Sequence, residues 1–348
     1  MASSLENSAW LQWMSSLLEE GSRQAYTVTL PRDRFYCLLD ELPVHLIPQR
    51  VFKSLHLQEC GGQEHYLNSD CIFCSDGRLP EELEFHRELV SGFALQGTIA
   101  WVRSPSTANL LPFWLGPQTE SAIRDLRAGE QGPSWVPDST RQLLMAAGIL
   151  VSKDQANRRR RERAELLRTA STLFREKGYA PLADLIHPFH VAALRRYYRY
   201  LIRSGAVQLG DGQSSQRYVA YNEPVARFFH RDIAAALSAV AGEALKPSYV
   251  YMASYRSGAE LKKHTDRAQC EFSVTLCLDF SPEPVLETPW PIHLDTPAGT
   301  VTVYQALGDG LAYRGTRLPH YRIPLPEGKT STSIFFHYVA ADFTGSLD

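Results

Sequence analysis

The chain has 348 residues, of which 44% are hydrophobic and 21% are charged, and its formal net charge at pH 7 is -2. This composition is typical of a globular protein long enough for two domains with a core each. The near-neutral charge argues against a general nucleic-acid-binding surface, because neutralising phosphates requires a positive field.

The amino-terminal segment "MASSLENSAWLQWMSSLLEEGS" carries acidic residues and lacks the basic start and continuous apolar centre of a secretory signal. No apolar stretch approaches the roughly 20 residues that a membrane-spanning helix needs. Six cysteines are too few for a disulfide scaffold at this length, and they suit a reducing compartment. We therefore expect a cytoplasmic protein without a membrane partner.

The first 155 residues are an irregular mixture that we interpret as an accessory domain of unknown role. Cys60, His65, Cys71 and Cys74 are the kind of set that binds structural zinc. Their spacing fits no standard zinc finger, however, and a second Cys-x-x-Cys pair is missing, so free thiols are the alternative. Further along, "STRQLLMAAGILVS" predicts a helix that runs into a short strand, as part of a peptide-recognising unit or of a plain scaffold.

Helical patterns dominate after residue 155. The basic run "RRRRER" at 158 to 163 is interpreted as a solvated helix start or a linker rather than as a nucleic-acid signal. Three helices are predicted in "RERAELLRTASTLFREKG", "HPFHVAALRRYYRYLIRSG" and "EPVARFFHRDIAAALSAVAGE", and they end at Gly178, Gly205 and Gly242. The third helix has a proline in its first turn.

From Tyr249 onward the period of the pattern is two. The segment "CEFSVTLCLDF" predicts a half-buried strand with an apolar face of Phe272, Val274, Leu276, Leu278 and Phe280. The segments "GTVTVY", "GLAYRG" and "STSIFFHYV" predict further strands. Helices followed by short strands favour an α+β domain over residues 156–348, with a sandwich or a jelly-roll barrel as its sheet part.

The tripeptide pattern His-x-Asp occurs three times in this half of the chain. His230 and Asp232 lie in a helical pattern, where side chains two residues apart diverge, so that pair is interpreted as structural. The pair that begins at His293 lies in a short extended piece between prolines, and an edge strand entering a turn is favoured over a metal site. His264 and Asp266 precede the clearest strand, where an extended backbone aims both side chains to one side.

A metal site of this kind needs a second imidazole, and His320 in "YRGTRLPHYR", 54 residues beyond Asp266, is the natural partner. Two neutral imidazoles and one carboxylate on one face of Fe(II) leave three adjacent positions open for a co-substrate and oxygen. The other histidines of this half are less suitable, because they lie in helices or late in a strand: His187, His190, His230 and His337.

These residues resemble the Fe(II)- and 2-oxoglutarate-dependent oxygenases, in particular their prolyl-hydroxylase-like branch, over roughly residues 165–348. The family pattern Tyr-x-x-Gly-x-x-apolar-x-x-His-x-Asp is matched by Tyr255, Gly258, Leu261, His264 and Asp266. Its second segment, which has a Gly-Asp turn, a strand, the distal His, a basic residue and a Ser, is matched by Asp309, Gly310, His320, Lys329 and Ser331. The resemblance implies a double-stranded β-helix (jelly-roll) core that carries iron at one end.

The same resemblance implies a cofactor set and an activity. His264, Asp266 and His320 would hold Fe(II), and 2-oxoglutarate and O2 would be co-substrates, with ascorbate as an auxiliary reductant in vitro. The implied reaction hydroxylates an unactivated C–H bond, which we expect in an amino-acid side chain, free or within a peptide. Related halogenases replace the carboxylate by a small residue, so Asp266 makes hydroxylation the default; desaturation, ring formation and epimerisation stay open.

The resemblance also implies residues for the far carboxylate of 2-oxoglutarate, namely Lys329, Ser331 and the hydroxyl of Tyr255. The family's basic residue is more often Arg and usually stands a position or so further along, which leaves Arg322 and Arg314 as alternatives. Lys329 is preferred because its strand position would direct the ammonium group into the barrel, although Lys lacks the bidentate geometry of Arg.

Two alternative functions stay open. A cupin-like metal enzyme that does not use 2-oxoglutarate is the first, although it would typically need more histidine ligands than these strands offer. A non-catalytic peptide-binding or regulatory protein is the second. Arg267 and Arg314 are candidates for binding an anionic group of the substrate, and an exposed salt bridge is the alternative role for each.

Overall fold

The computed structural model describes residues 29–48, 64–104, 109–183 and 185–348. The chain divides into two compact units. Unit 1 consists of Met1–Arg87, Gly92–Arg161 and Pro188–Tyr197, and unit 2 consists of Glu88–Ser91, Glu162–His187 and Tyr198–Asp348. The domain boundary between residues 155 and 156 stays a prediction. None of the helices in the described ranges combines the length and the apolar character needed to cross a bilayer.

Unit 1 is built on a three-stranded antiparallel sheet. The five strands of unit 1 are β1 (Tyr66–Leu67), β2 (Cys71–Cys74), β3 (Thr98–Arg103), β4 (Leu110–Leu115) and β5 (Leu150–Val151). Its helices include α1 (Glu81–Glu84), α2 (Pro117–Ile123) and α3 (Asp138–Ala146). The sheet order is β2-β3-β4, and β1 pairs separately with β5. The predicted helix that runs into a short strand is α3 followed by β5, as expected.

The cysteines of unit 1 do not form a zinc site within the described residues. Cys71 and Cys74 lie three residues apart at the two ends of β2, so their side chains point to opposite faces of the strand. No metal-ligand set among the described residues includes either thiol or His65. Cys60 lies outside the described residues.

Three helices of the later chain end close to their predicted positions, but the first begins eight residues before its predicted start at Arg161. They are α4 (Lys153–Lys177), α5 (Pro188–Arg203) and α6 (Pro224–Ala241). Gly178 and Gly242 follow α4 and α6 with φ angles of 77° and 78°, in the left-handed region that glycine adopts without a Cβ penalty. Glu223 caps α6 by accepting hydrogen bonds from the first turn, which begins with Pro224.

The strands of unit 2 occupy most of its remaining length. Three short strands precede the core strands, namely β6 (Tyr179–Leu182), β7 (Gln208–Leu209) and β8 (Arg217–Tyr221). The eight core strands are β9 (Leu245–Tyr255), β10 (Leu261–His264), β11 (Phe272–Ser281), β12 (Ile292–Thr296), β13 (Gly299–Val303), β14 (Gly310–Tyr313), β15 (His320–Arg322) and β16 (Thr330–Ala340).

The core strands form two antiparallel sheets in the order of a jelly roll. Four of them lie in a larger sheet of order β6-β14-β11-β16-β9-β8-β7, and the other four form a smaller sheet of order β10-β15-β12-β13. Successive strands from β9 to β12 alternate between the two sheets, as in a double-stranded β-helix. The predicted α+β class with a jelly-roll core is therefore confirmed.

Strand β11 departs from its prediction, because both of its faces are buried. Phe272 packs on Phe174 of α4, with ring centroids 6.2 Å apart, while Ser273 and Thr275 on the opposite face are also fully buried. The half-buried interpretation is wrong because the polar face of β11 lines the barrel interior rather than solvent. A register shift after Cys277 places Phe280 in the same interior cluster as Cys277.

Candidate metal and co-substrate site

The two predicted imidazoles lie side by side in the smaller sheet. His264 is the last residue of β10 and His320 is the first residue of β15, and the two are paired in register. Their ring centroids are 4.4 Å apart. Asp266 follows two residues after His264, and its backbone N–H donates to the carbonyl of Gly315 at 2.9 Å. The fold thus brings together residues that are far apart in sequence.

The ligand atoms of this triad converge. Asp266 Oδ1 lies 3.5 Å from Nε2 of His264 and 3.5 Å from Nε2 of His320. The three side chains form a group whose ligand atoms all lie within 4.8 Å of one another. Two imidazole nitrogens and one carboxylate oxygen are a donor set that suits a ferrous ion.

Hydrogen bonds on the far side of each ring select the tautomer that a metal requires. His264 Nδ1 lies 2.7 Å from the carbonyl oxygen of Lys262, and His320 Nδ1 lies 3.0 Å from that of Leu318. A carbonyl only accepts, so each neutral ring carries its proton on Nδ1 and presents the lone pair of Nε2 toward Asp266. Metal-binding histidines commonly have this second bond to a backbone carbonyl. The residues therefore fit a metal ion.

The two histidines differ in burial, and their pKa values shift in opposite directions. Asp266 raises the pKa of His264, whose side chain is 31% exposed, because a protonated ring would donate from Nε2 to the carboxylate. Burial lowers the pKa of His320, whose side chain is 3% exposed. Burial alone would raise the pKa of Asp266, but the interactions of the ionised carboxylate with the rings of His264 and His320 outweigh burial and lower that pKa. The carboxylate is thus kept ionised at the centre of the group.

The other two His-x-Asp pairs lie elsewhere. His230 is in α6, and its Nε2 is 2.7 Å from the carbonyl oxygen of His337, which fits the predicted structural role. His293 is in β12, stacks on Tyr321 at 4.7 Å, and belongs to no metal-ligand set within the described residues. The predicted edge strand is wrong, since β12 lies between β15 and β13.

Three of the residues predicted to bind 2-oxoglutarate lie together inside the barrel. Tyr255 and Ser331 are buried partners in the ladder between β9 and β16. Arg322 is on β15 two residues after His320, so both side chains leave the same face of the strand. The guanidinium of Arg322 lies 4.7 Å over the ring of Trp290, and that ring is 5.0 Å from the ring of Tyr255.

Arg322 is a buried cation without a carboxylate partner in the described part of the chain. Its guanidinium donates to the carbonyl of Trp290 and, at 3.2 Å, to Oε1 of Gln305. Burial lowers its pKa, and the groups that oppose this effect are Cys277, Tyr255 and Tyr313 rather than any Asp or Glu. A desolvated guanidinium in neutral surroundings is a favourable site for an anion.

The two rival cations are placed differently. Lys329 lies in the turn before β16, which begins only at Thr330, so its predicted place on the strand is wrong. The residue is half-buried, and its Nζ is 6.0 Å from the ring centroid of Phe280. Arg314 packs against the ring of Phe272 at 4.9 Å and approaches Glu243 at 3.9 Å. It lies on the outer side of the larger sheet.

Several residues of the site had no signal in the sequence. Arg217 on β8 is paired with Tyr255 in the ladder, donates to its hydroxyl at 3.3 Å, and forms an ion pair with Asp211 at 2.5 Å. Ser273 and His337 lie behind Asp266. The alternation in "QRYVAY" would have predicted the strand that carries Arg217, but not the residue that it meets.

No protein-family model and no curated protein sequence matches the chain. Among solved structures, it is similar to the non-heme alpha ketoglutarate dependent epimerase SnoN from nogalamycin biosynthesis, with 15% identity, a TM-score of 0.43, and coverage of 50% of this chain and 83% of that one. A Pseudomonas putida prolyl-4-hydroxylase matches with 15% identity, a TM-score of 0.41, and coverage of 49% and 98%. AviO1 from Streptomyces viridochromogenes Tue57 matches with 16% identity, a TM-score of 0.43, and coverage of 51% and 97%. Similarity of this extent does not by itself assign an activity.

Proposed function

We propose that this protein is an Fe(II)- and 2-oxoglutarate-dependent dioxygenase of the prolyl-hydroxylase-like branch. The observation that carries the proposal is the convergence of Nε2 of His264, Nε2 of His320 and Oδ1 of Asp266 at one point of a jelly-roll barrel. Two imidazoles and one carboxylate, with other positions open, are the ligand set of non-haem Fe(II) oxygenases. The proposed reaction is the hydroxylation of an unactivated C–H bond.

In this proposal His264, Asp266 and His320 hold the iron. When bound, Fe(II) together with 2-oxoglutarate supplies the oxidation of the substrate by O2. The protein's own part is to present neutral imidazole lone pairs, which the carbonyls of Lys262 and Leu318 orient. The ionised carboxylate offsets part of the metal charge.

Arg322 is the group that we assign to the far carboxylate of 2-oxoglutarate. It lies about 7 Å from His320 along the strand, since two residues of β-strand rise by roughly that distance. A short dicarboxylate can therefore reach from the metal ligands to the guanidinium. Gln305 orients the guanidinium, because its own amide is fixed by bonds to the carbonyls of Thr275, at 2.9 Å, and Asp309, at 3.2 Å. Tyr255 and Ser331 would add hydroxyl donors from the neighbouring wall.

The proposed substrate is an amino-acid side chain, free or within a peptide, with an anionic group near the reacting carbon. Arg267 is exposed next to Asp266, packs at 4.7 Å on the ring of Tyr249, and has no ion pair among the described residues. Its Nε donates to the hydroxyl of Tyr249 at 3.4 Å, and its charge, which no described carboxylate neutralises, can bind such a group. Arg314 is assigned no such role, since its side chain faces Glu243 and the apolar rings of the outer side.

Succinate release from 2-oxoglutarate tests the proposal. Purified protein with Fe(II) and ascorbate is expected to release succinate, even without the true substrate, through uncoupled turnover. His264→Ala is expected to abolish that release. His293→Ala, which removes a histidine from the same sheet outside the site, is expected to retain it. Binding of 2-oxoglutarate without turnover would favour the non-catalytic alternative, and neither binding nor turnover would favour a cupin-like enzyme.

A further inference from the structure

A chain of two hydrogen bonds stands behind the carboxylate of Asp266. Ser273 Oγ lies 3.1 Å from Asp266 Oδ2, and Nδ1 of His337 lies 2.9 Å from Ser273 Oγ. Ser273 is on β11 and is paired in register with His337 of β16. Both residues are buried, so their arrangement is fixed by the larger sheet rather than by solvent.

The available protons determine which group donates in each of these two hydrogen bonds. An ionised carboxylate only accepts hydrogen bonds, and a serine hydroxyl has a single proton to donate. The Ser273 hydroxyl therefore donates to Asp266 Oδ2, since a charged acceptor is preferred over the carbonyl oxygen of Cys270, which is farther away at 3.3 Å. The remaining lone pairs of Ser273 accept from the N–H at Nδ1 of His337.

The backbone of Gly315 lies beside the same carboxylate oxygen that Ser273 binds. Its carbonyl accepts from the backbone N–H of Asp266 at 2.9 Å. A Cβ at position 315 would lie 2.3 Å from Asp266 Oδ2 and 2.8 Å from Ser273 Oγ. Only glycine lets the backbone approach so closely. The space around Oδ2 is consequently filled by Ser273 and by the backbone at position 315.

We propose that Ser273 and His337 are positioning residues that fix which oxygen of Asp266 faces the metal. Oδ2 is bound by Ser273, and Oδ1 is left between the two imidazoles, at 3.5 Å from each Nε2. This inference rests on the metal site of the proposed function. Residues that hydrogen-bond a metal ligand typically contribute about tenfold to a hundredfold in metal affinity.

Titration of the metal-free protein with Co(II), followed by calorimetry and by visible absorption, tests the inference without measuring turnover. Ser273→Ala is expected to raise the Kd for Co(II) by about tenfold to a hundredfold and to alter the absorption band. Ser254→Ala is the matched control. The hydroxyl of Ser254 accepts from that of Thr332 at 2.8 Å, and its side chain lies on the opposite face of β9 from that of Tyr255. The Kd of this variant for Co(II) is therefore expected to stay unchanged.

Two substitutions at position 337 separate hydrogen bonding from packing. His337→Asn keeps an N–H donor near the place of Nδ1 and is expected to bind Co(II) more tightly than His337→Leu, which keeps volume alone. Equal affinity and an identical spectrum for Ser273→Ala and the wild type would overturn the inference while leaving the metal site intact. A wild type that binds no more Co(II) than His320→Ala would overturn the metal site, and this inference with it.

Discussion

Replacing Arg322 by Gln is expected to remove most of the affinity for 2-oxoglutarate. Two charge-assisted hydrogen bonds from a guanidinium to one carboxylate contribute about 1.5–3 kcal/mol each. Since about 1.4 kcal/mol corresponds to a tenfold change in Kd, losing both weakens binding by about 10²- to 10⁴-fold. We expect a value near the lower end, because the new amide can replace one donor.

The assay is calorimetric titration of 2-oxoglutarate into protein loaded with Mn(II) in the absence of oxygen. Lys329→Gln is the matched control, because it removes the same charge from the rival position and is expected to leave the Kd nearly unchanged. Arg322→Lys keeps the charge but loses the planar fork, and it is expected to fall between Arg322→Gln and the wild type. Thermal unfolding of each variant checks that the buried substitution has not unfolded the barrel.

The reasoning would be refuted if Lys329→Gln lost 2-oxoglutarate binding while Arg322→Gln retained it. That outcome would mean that the ammonium group of Lys329, which lies 6.0 Å from the ring centroid of Phe280, binds the carboxylate, as the family resemblance implies. It would also mean that the buried guanidinium is needed only for its bonds to Trp290 and Gln305.

Three further predictions concern the metal and the walls of the site. Gly315→Ala is expected to weaken Co(II) binding because its Cβ would lie 2.3 Å from Asp266 Oδ2; an unchanged Kd would contradict the tight fit. Saturating metal, at about 100 times its Kd, is expected to stabilise the wild type by about 2.7 kcal/mol and to leave His320→Ala unaffected in thermal unfolding. Burial alone would raise the pKa of Asp211, but hydrogen bonding to Arg217 outweighs burial and lowers that pKa from 3.8 to about 2. This carboxylate therefore stabilises the fold above about pH 4, and the stabilisation is lost as the pH falls to about 2. Asp211→Asn is therefore expected to lower the free energy of unfolding in urea by about 2 kcal/mol at pH 7, and a deficit that grew on acidification would contradict this.

The sequence was sufficient to predict the helices α4 to α6, the run of strands that follows them, and the candidate metal ligands. Glycines at helix ends act locally, so Gly178 and Gly242 could be placed without tertiary information. The pair of His264 and Asp266 followed from the geometry of an extended backbone, and His320 from the need for a third ligand. Each of these inferences depends on a few consecutive residues or on the chemistry of one ion.

The interior of the barrel was harder to predict. A strand with a polar face inside the barrel has the same alternation of polar and apolar residues as a strand with a polar face in solvent. Ser273 and Thr275 were therefore assigned to the exposed side of β11. The choice between Lys329 and Arg322 depended on where β16 begins, within one residue, and strand ends are poorly marked in sequence. The contact of Ser273 with His337 depends on strand register, which a single sequence does not contain.

The pairing of β10 with β15 has a consequence for how the protein matures. The two imidazoles are neighbours across one ladder, yet four complete strands, β11 to β14, are synthesised between them. An ion that needs both rings can bind only after β10 and β15 have paired, and that pairing closes a long loop of chain. In the proposed function, iron capture would therefore wait until β15 has been synthesised and has reached β10.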